Sequence, residues 1–410
     1  MLKLALKSLA NRRATALLVL ASLVLSTALM LGVERVREQA RDSFASTIHG
    51  ADLIVGARTG PISLLLYSVF RIGDATNNIR WKSHQAIAAL PDVAWTIPLS
   101  LGDSHRGFRV LGTTHAYFEH YRYGDARTLT LAEGRRFEGN ADAVLGASVA
   151  RELGYTLGQS IVLSHGMGEV SFSDHTDHPF RVVGILAPTG TPVDRTVHVS
   201  LAGIDAMHAN FFGGMSVRGL RIHRSEPANI TAFIVGLHSR SAIFAVQREV
   251  NEFKGEPLLA ILPGLTLQQL WDIIALGENA LRVVALLVLL VSLVTMTTAL
   301  LTSLQERRRE MAILRALGAR PRHVFLLVLG ESMLLATIAA LLGLATLQLA
   351  TVWAAGLLEA QYGLALSAWP IAAGEWRLLG LLFVGALVAG AVPAFTAYRR
   401  SVADGMSIRL

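Results

Sequence analysis

Two histidines and two aspartates fall within five residues, Asp174-His175-Thr176-Asp177-His178, and His165 precedes them in a stretch rich in Gly and Ser. Imidazole and carboxylate at such short spacing can ligate zinc or copper. A strand would send His175 and His178 to opposite faces, because side chains alternate and the two are three apart. A loop or a helical turn can bring them together, and Pro179 with the flanking Gly and Ser favours a loop. One reading therefore assigns His165, Asp174, His175, Asp177 and His178 to a zinc or copper site for sensing or for substrate; the other is a solvated loop between two strands. Twelve of the thirteen histidines lie between His49 and His238, so any such chemistry belongs to the middle of the chain. There is no cysteine, which excludes disulfides, Cys-ligated zinc, iron–sulfur clusters and Cys nucleophiles. No Gly-x-x-x-x-Gly-Lys-[Ser/Thr] loop is present to cradle nucleotide phosphates. No Ser/His/Asp set has a recognisable spacing either, and no catalytic residue or intrinsic cofactor is assigned.

The elements that carry these residues follow from hydropathy. Hydrophobic residues make up 52% of the 410 and charged residues only 16%, which does not fit a cytosolic globular protein or a disordered one. Four runs are long enough to cross a bilayer, whose hydrocarbon core takes about 20 apolar helical residues. The expected plan is a membrane protein with four transmembrane α-helices and a large α+β extracytoplasmic domain between helices 1 and 2. Its spans are 14–33, 278–304, 324–358 and 378–398, and the α+β domain is 34–277, with short alternating runs such as 180–186. An amphipathic segment at 1–13, a loop at 305–323, a short outer loop at 359–377 and a tail at 399–410 complete the chain. In the first segment Leu2, Leu6, Leu9 and Ala10 share one helical face and Lys3 and Lys7 the other, which suits the inner membrane surface and its lipids. A cleaved signal peptide would need a shorter apolar core and a small-residue cleavage site; the run here leads through Glu34-Arg35-Val36-Arg37 instead, so an uncleaved anchor is expected.

Charge sets the orientation. Of 37 basic and 30 acidic residues, 13 and 3 fall in the first 13 residues, the 305–323 loop and the tail, leaving 24 and 27 elsewhere. Short basic loops stay in the cytoplasm, so both termini are expected inside and the α+β domain outside. The basic residues border membrane spans, and no nucleic-acid partner is expected.

The most informative segment is Gln305-Glu306-Arg307-Arg308-Arg309-Glu310-Met311-Ala312-Ile313-Leu314-Arg315-Ala316-Leu317-Gly318-Ala319-Arg320-Pro321. It leaves the second span as a charged helix, carries Met311, Ile313, Leu314 and Leu317 as an apolar stripe, and stops at Gly318 with Pro shortly after. A basic loop that merely fixes topology needs no such stripe; a stripe in the cytosol calls for a protein partner. Other positions admit two readings each. Glu331, near the start of the third span, either influences a lateral gate or pairs with a basic residue at the interface. Gly380, Gly385 and Gly390 allow close helix contact along the fourth span, as a dimer face or as ordinary membrane-helix glycine. Glu278 and Arg282 are four apart, as an ion pair or as part of a stalk hinge.

The 306–319 run resembles the coupling-helix signature of MacB/FtsX-type ABC transporter permeases, a superfamily that also includes the lipoprotein-extracting permeases. The stretches 144–163 and 180–192 are similar to that family's periplasmic domain, and the basic ending 398–409 resembles its usual end, although the common Pro-Val-Glu-Ala-Leu form is lost. The resemblance spans the whole chain. It implies a multi-pass permease of the bacterial inner membrane, acting as a homodimer with two copies of a separate cytoplasmic ABC ATPase that binds the ATP. It also implies that Arg307, Arg308, Arg309, Glu310, Met311, Leu314, Leu317 and Gly318 couple to that ATPase. ATP-driven closure would move the periplasmic domain mechanically, to export or extract a lipoprotein, amphiphile or metal-linked partner, with a periplasmic adaptor or substrate protein engaged outside. The alternative is a regulatory scaffold that activates a periplasmic partner such as a cell-wall hydrolase without transport.

Overall fold

The computed structural model describes the chain except residues 1–12, 166–178, 210, 213–214, 217–226, 308–310, 312, 314–315, 317, 363–368, 370 and 400–410. The described residues fall into two compact units, one drawn from 1–40, 275–357 and 366–410 and the other from 41–274 and 358–365.

The first unit is helical. Four helices are long and apolar enough to cross a membrane: α1 (Arg13–Ser46), α2 (Pro263–Glu306), α3 (Pro321–Tyr362) and α4 (Ala373–Arg399). They pack through Leu23 and Leu31 of α1, Leu289 and Met296 of α2, Ala336 and Ala339 of α3, and Leu382 and Ala386 of α4. Their opposite sides are apolar too, with Leu18, Leu25, Val291, Val352 and Val388 exposed. Helices apolar all round belong in lipid, where every backbone group is satisfied within the helix. Small residues allow close approach inside the bundle. A Cβ at Gly385 would meet Leu293 of α2, and one at Gly390 would meet Ser332 of α3. Two of the three glycines weighed as a dimer face thus meet helices of the same chain.

The second unit is built on one mixed sheet. In chain order its main strands are β1 (Leu53–Ala57), β2 (Val93–His105), β3 (Phe108–Thr113), β4 (Leu131–Gly134), β5 (Asp142–Leu145), β6 (Phe180–Leu186), β7 (Thr196–Ser200), β8 (Ala232–Leu237) and β9 (Leu258–Ile261). Their spatial order is β9-β1-β8-β2-β3-β7-β5-β6-β4. The β3–β7 and β5–β6 pairs are parallel, and the others along this path are antiparallel.

Alternation sorts the side chains into layers. Ile54, Ile234, Leu111 and Val144 enter one core on a common face. Their neighbours in sequence turn away: Leu53, Val55, Phe233 and Val235 into a second core, and Val110, Ala143 and Leu145 into a third. Both faces are covered, which is why these strands read as nearly continuous apolar runs. The 180–186 run alternates as its sequence suggests, with Phe180, Val182 and Leu186 buried and Arg181 exposed.

Beyond β6 the chain turns tightly on Asp194, whose carboxylate accepts from the Thr189 amide at 2.9 Å, the Thr189 hydroxyl at 2.8 Å and the Gly190 amide at 2.7 Å. Gly190 takes the left-handed φ of 69° that this turn requires.

Candidate functional site: the segment after the second span and the buried charges of the helical unit

The segment after the second span starts on a buried ion pair. Arg307 Nη1 lies 3.0 Å from Glu331 Oε1, with the two side chains only 15% and 4% exposed. Glu331 sits about two helical turns beyond Val324, where the apolar part of α3 begins, and a carboxylate there is costly unless paired. Of its two sequence readings, pairing with a basic residue is the one found. The Arg307 carbonyl accepts from the Met311 amide at 3.0 Å. Gly318 has a φ of 98°, the left-handed stop expected at a helix end. The next helix opens at Pro321, and the Arg320 amide donates to His323 Nδ1 at 3.1 Å, a side-chain cap three residues on.

One residue of the expected stripe faces the other way. Met311 packs on the cluster of Leu304, Val324, Val328, Ala394 and Ala397, against the bundle rather than on an open face. A long flexible thioether at a span end fills whichever apolar gap is nearest. Ile313 is 60% exposed and is the described apolar residue that remains open. Arg308, Arg309, Glu310, Leu314 and Leu317 lie outside the described residues.

A second set of charges occupies the other end of the helical unit. Arg35 of α1 makes two parallel bonds of 2.8 Å to Glu375 of α4, and its Nη1 donates to Gln348 Oε1 of α3 at 2.8 Å. Arg35 and Glu375 are 2% and 1% exposed. Next to Arg35 in sequence, Glu34 accepts from Arg37 of its own helix and from Arg282 of α2, the latter at 3.3 Å. Arg282, weighed in the sequence against Glu278, thus reaches across to α1. Three helices are tied through Arg35, and a fourth through Glu34. Sequence reasoning missed this set: Arg35 reads as the polar flank of a span and Glu375 as part of a short outer loop, and 340 residues separate them.

For the metal reading, the structure gives only the backbone of His165, which pairs in register with Asp103 of β2. Asp174, His175, Asp177 and His178 lie outside the described residues. Among the described residues no group of three or more His, Asp or Glu side chains is arranged to hold a metal ion.

Four membrane-crossing helices with an α+β domain inserted between the first two define a multi-pass membrane protein. Comparison with known proteins narrows this. Residues 15–253 match the MacB-like periplasmic core domain and residues 282–403 the FtsX-like permease C-terminal family. The macrolide export ATP-binding/permease protein MacB of Azoarcus sp. (strain BH72) is 28% identical over 283 residues, covering 64% of this chain. The chain spans 39% of that relative's length. Among solved structures, the periplasmic region of MacB from Actinobacillus actinomycetemcomitans matches with a TM-score of 0.35 at 12% identity, covering 55% of this chain and 95% of that one. The extracellular domain of the noncanonic ABC-type transporter YknZ from Gram-positive bacteria matches with a TM-score of 0.29 at 14% identity, covering 45% and 89%. The chain belongs to the MacB/FtsX-type ABC transporter permease family.

Proposed function

We propose that this chain is the permease subunit of an ABC transporter, driven by a separate cytoplasmic ATPase that docks on residues 305–318 and moves the α+β domain to export or extract a substrate. The observation that carries the reading is the Arg307–Glu331 pair. It fixes the base of the docking segment to the third span at 3.0 Å, so force applied to the segment reaches the span instead of bending a loose loop. Arg308 and Arg309 hold the segment at the lipid headgroups, and Leu314 and Leu317 enter the ATPase groove. Met311 supports the segment from the bundle side. Two permeases and two ATPases make the working assembly. The Azoarcus relative is named for macrolide export, which makes a bulky amphiphile the first substrate class to test.

Replacing Leu314 and Leu317 by Asp should leave membrane insertion intact and abolish copurification of the ATPase. Full copurification with the double variant would refute the docking assignment. The same reading places both termini in the cytoplasm and the α+β domain in the periplasm of the inner membrane, on the charge asymmetry between loops. Reporter fusions at Gly139 and Ala319 should report periplasm and cytoplasm respectively; the reverse pattern would overturn the topology.

A further inference from the structure

Three local irregularities of the α+β unit meet at one cavity. The first is a π-helical turn, Leu66–Phe70, which ends on Arg71. Such turns cost regular hydrogen bonding and recur at functional sites. The second is Arg71 itself, a non-glycine residue at φ 61°, in the left-handed region that disfavours a Cβ by about 1–2 kcal/mol. The third is a break in register between Leu101 and Ser104, where β2 runs beside β3. Bulges of this kind re-aim side chains next to binding sites. Tyr67, Arg71, Asp74, Asn78, Leu101 and Arg109 all line the cavity, whose volume is about 220 Å³.

The cationic lining is held ready for an anion. Arg109, on β3, is 11% exposed, and its Nε is buried with no hydrogen-bond partner. Its other nitrogens bond to Asp74 and, at 2.9 Å, to the Gly73 carbonyl. Asp74 is 71% exposed, so it is a rim group in water, and an ion pair with such a partner is worth at most about 1 kcal/mol. An incoming anion can displace it at little cost. Arg71 lines the cavity and donates to the Ser68 carbonyl within the π turn, while its guanidinium also lies beside the buried Tyr117. With Arg71, Arg109 and Asp74, the lining carries a formal charge of +1.

We propose that this cavity binds a phosphate group carried on a small polar body, whether a lipid headgroup or a free phosphate ester. A planar carboxylate is served by a single guanidinium fork, whereas a lining that brings Arg71 and Asn78 of one loop together with Arg109 of β3 suits a tetrahedral oxyanion. The volume is several times that of a single water, about 30 Å³ in the liquid. It falls short of the roughly 300–1,000 Å³ of pockets that enclose drug-sized molecules. A headgroup fits; a whole amphiphile does not. The site is independent of the docking proposal above.

The test is calorimetric titration of glycerol 3-phosphate into the full chain in phosphatidylcholine nanodiscs, from micromolar to millimolar concentration. Arg109→Gln should weaken binding roughly tenfold or more. Asp74→Asn removes an exposed competitor and should tighten it, by up to roughly fivefold. This second variant keeps the test open if Arg109→Gln disturbs the fold, because an exposed rim residue contributes little to folding. In discs containing phosphatidylglycerol, a lipid source of the ligand lowers the apparent affinity of the soluble probe in the native chain. Unchanged affinity assigns the site to free phosphate esters. Absence of binding in phosphatidylcholine discs, or binding insensitive to both variants, overturns the proposal.

Discussion

Replacing Arg35 by Met should destabilise the helical unit by about 3–5 kcal/mol, and replacing Glu375 by Leu should cost a similar amount. The double replacement should recover most of the loss. Both side chains are almost fully enclosed, at 2% and 1% exposure, and they meet through two parallel bonds of 2.8 Å. Taking either away strands a full charge in a medium with no water to solvate it, which accounts for the large single effects. Taking both away removes the stranded charge together with its desolvation cost, so apolar side chains of similar length can fill the space. Recovery should stop short of complete by about 1 kcal/mol, because Gln348 loses the donor that reaches its Oε1 at 2.8 Å. The measurement is a double-mutant cycle from denaturant unfolding of the full chain in bicelles. Simple additivity of the two single effects would show that Arg35 and Glu375 do not act as a pair, and would sink the account.

The four spans were legible because the signal is local and redundant: some 20 apolar residues in succession admit few other structures. Gly318 and Pro321 were legible as helix punctuation for the same reason, since a left-handed φ and a missing amide are properties of single residues. The alternation of 180–186 gave a strand, but its neighbours were not readable. β6 pairs with β4, β5 and the short strand Ser160–Ile161, and each pairing depends on where remote segments fold. The charges of the helical unit were hidden by the same non-locality. Arg35 ends an apolar run and Glu375 precedes one, so each looks like an interface residue, and only packing brings them within 2.8 Å. Met311 shows the limit of amphipathicity: an apolar stripe says that something covers it, without saying whether the cover is a partner or the chain's own bundle. The cavity beside Arg71 left no motif at all. Its residues, Tyr67 to Asn78, Leu101 and Arg109, come from a turn, a bulge and a strand that meet only in three dimensions.

The stability of the α+β unit should fall steeply as pH drops from about 6.5 toward 5, well above the range where carboxylates take up protons. Three buried histidines are the reason. His198, on β7, is fully enclosed; burial, and after it the charge of Arg71, lowers its pKa to about 3. Its Nδ1 lies 3.3 Å from the Val144 carbonyl, and its Nε2 has no hydrogen-bond partner. His84 is lowered to about 4 by burial against Trp81 and Phe233, with Nε2 3.0 Å from the Thr96 hydroxyl. His105 is lowered as well, chiefly by burial, between the Val162 carbonyl and the Tyr155 hydroxyl. In the unfolded chain each imidazole takes a proton near 6.5. Burial lowers that value in the native state, so each histidine contributes stability that is whole above 6.5 and is lost as pH falls toward its native value. The slope in between is about 1.4 kcal/mol per pH unit for each histidine. Urea unfolding of the full chain in nanodiscs at pH 7, 6 and 5 measures it. A background in which Trp353, Trp369 and Trp376 are Phe leaves Trp81, Trp95 and Trp271 to report on this unit. His198→Phe keeps an aromatic ring beside Tyr117, whose ring centre lies 5.3 Å from that of the histidine, and removes one titrating group. His84→Gln keeps a partner for Thr96 and removes a second. The double variant should lose much less stability between pH 7 and 5 than the native chain, and the slope that remains belongs to His105. A slope as steep as that of the native chain would mean that other groups govern the acid response, and that His84 and His198 are protonated in the folded state.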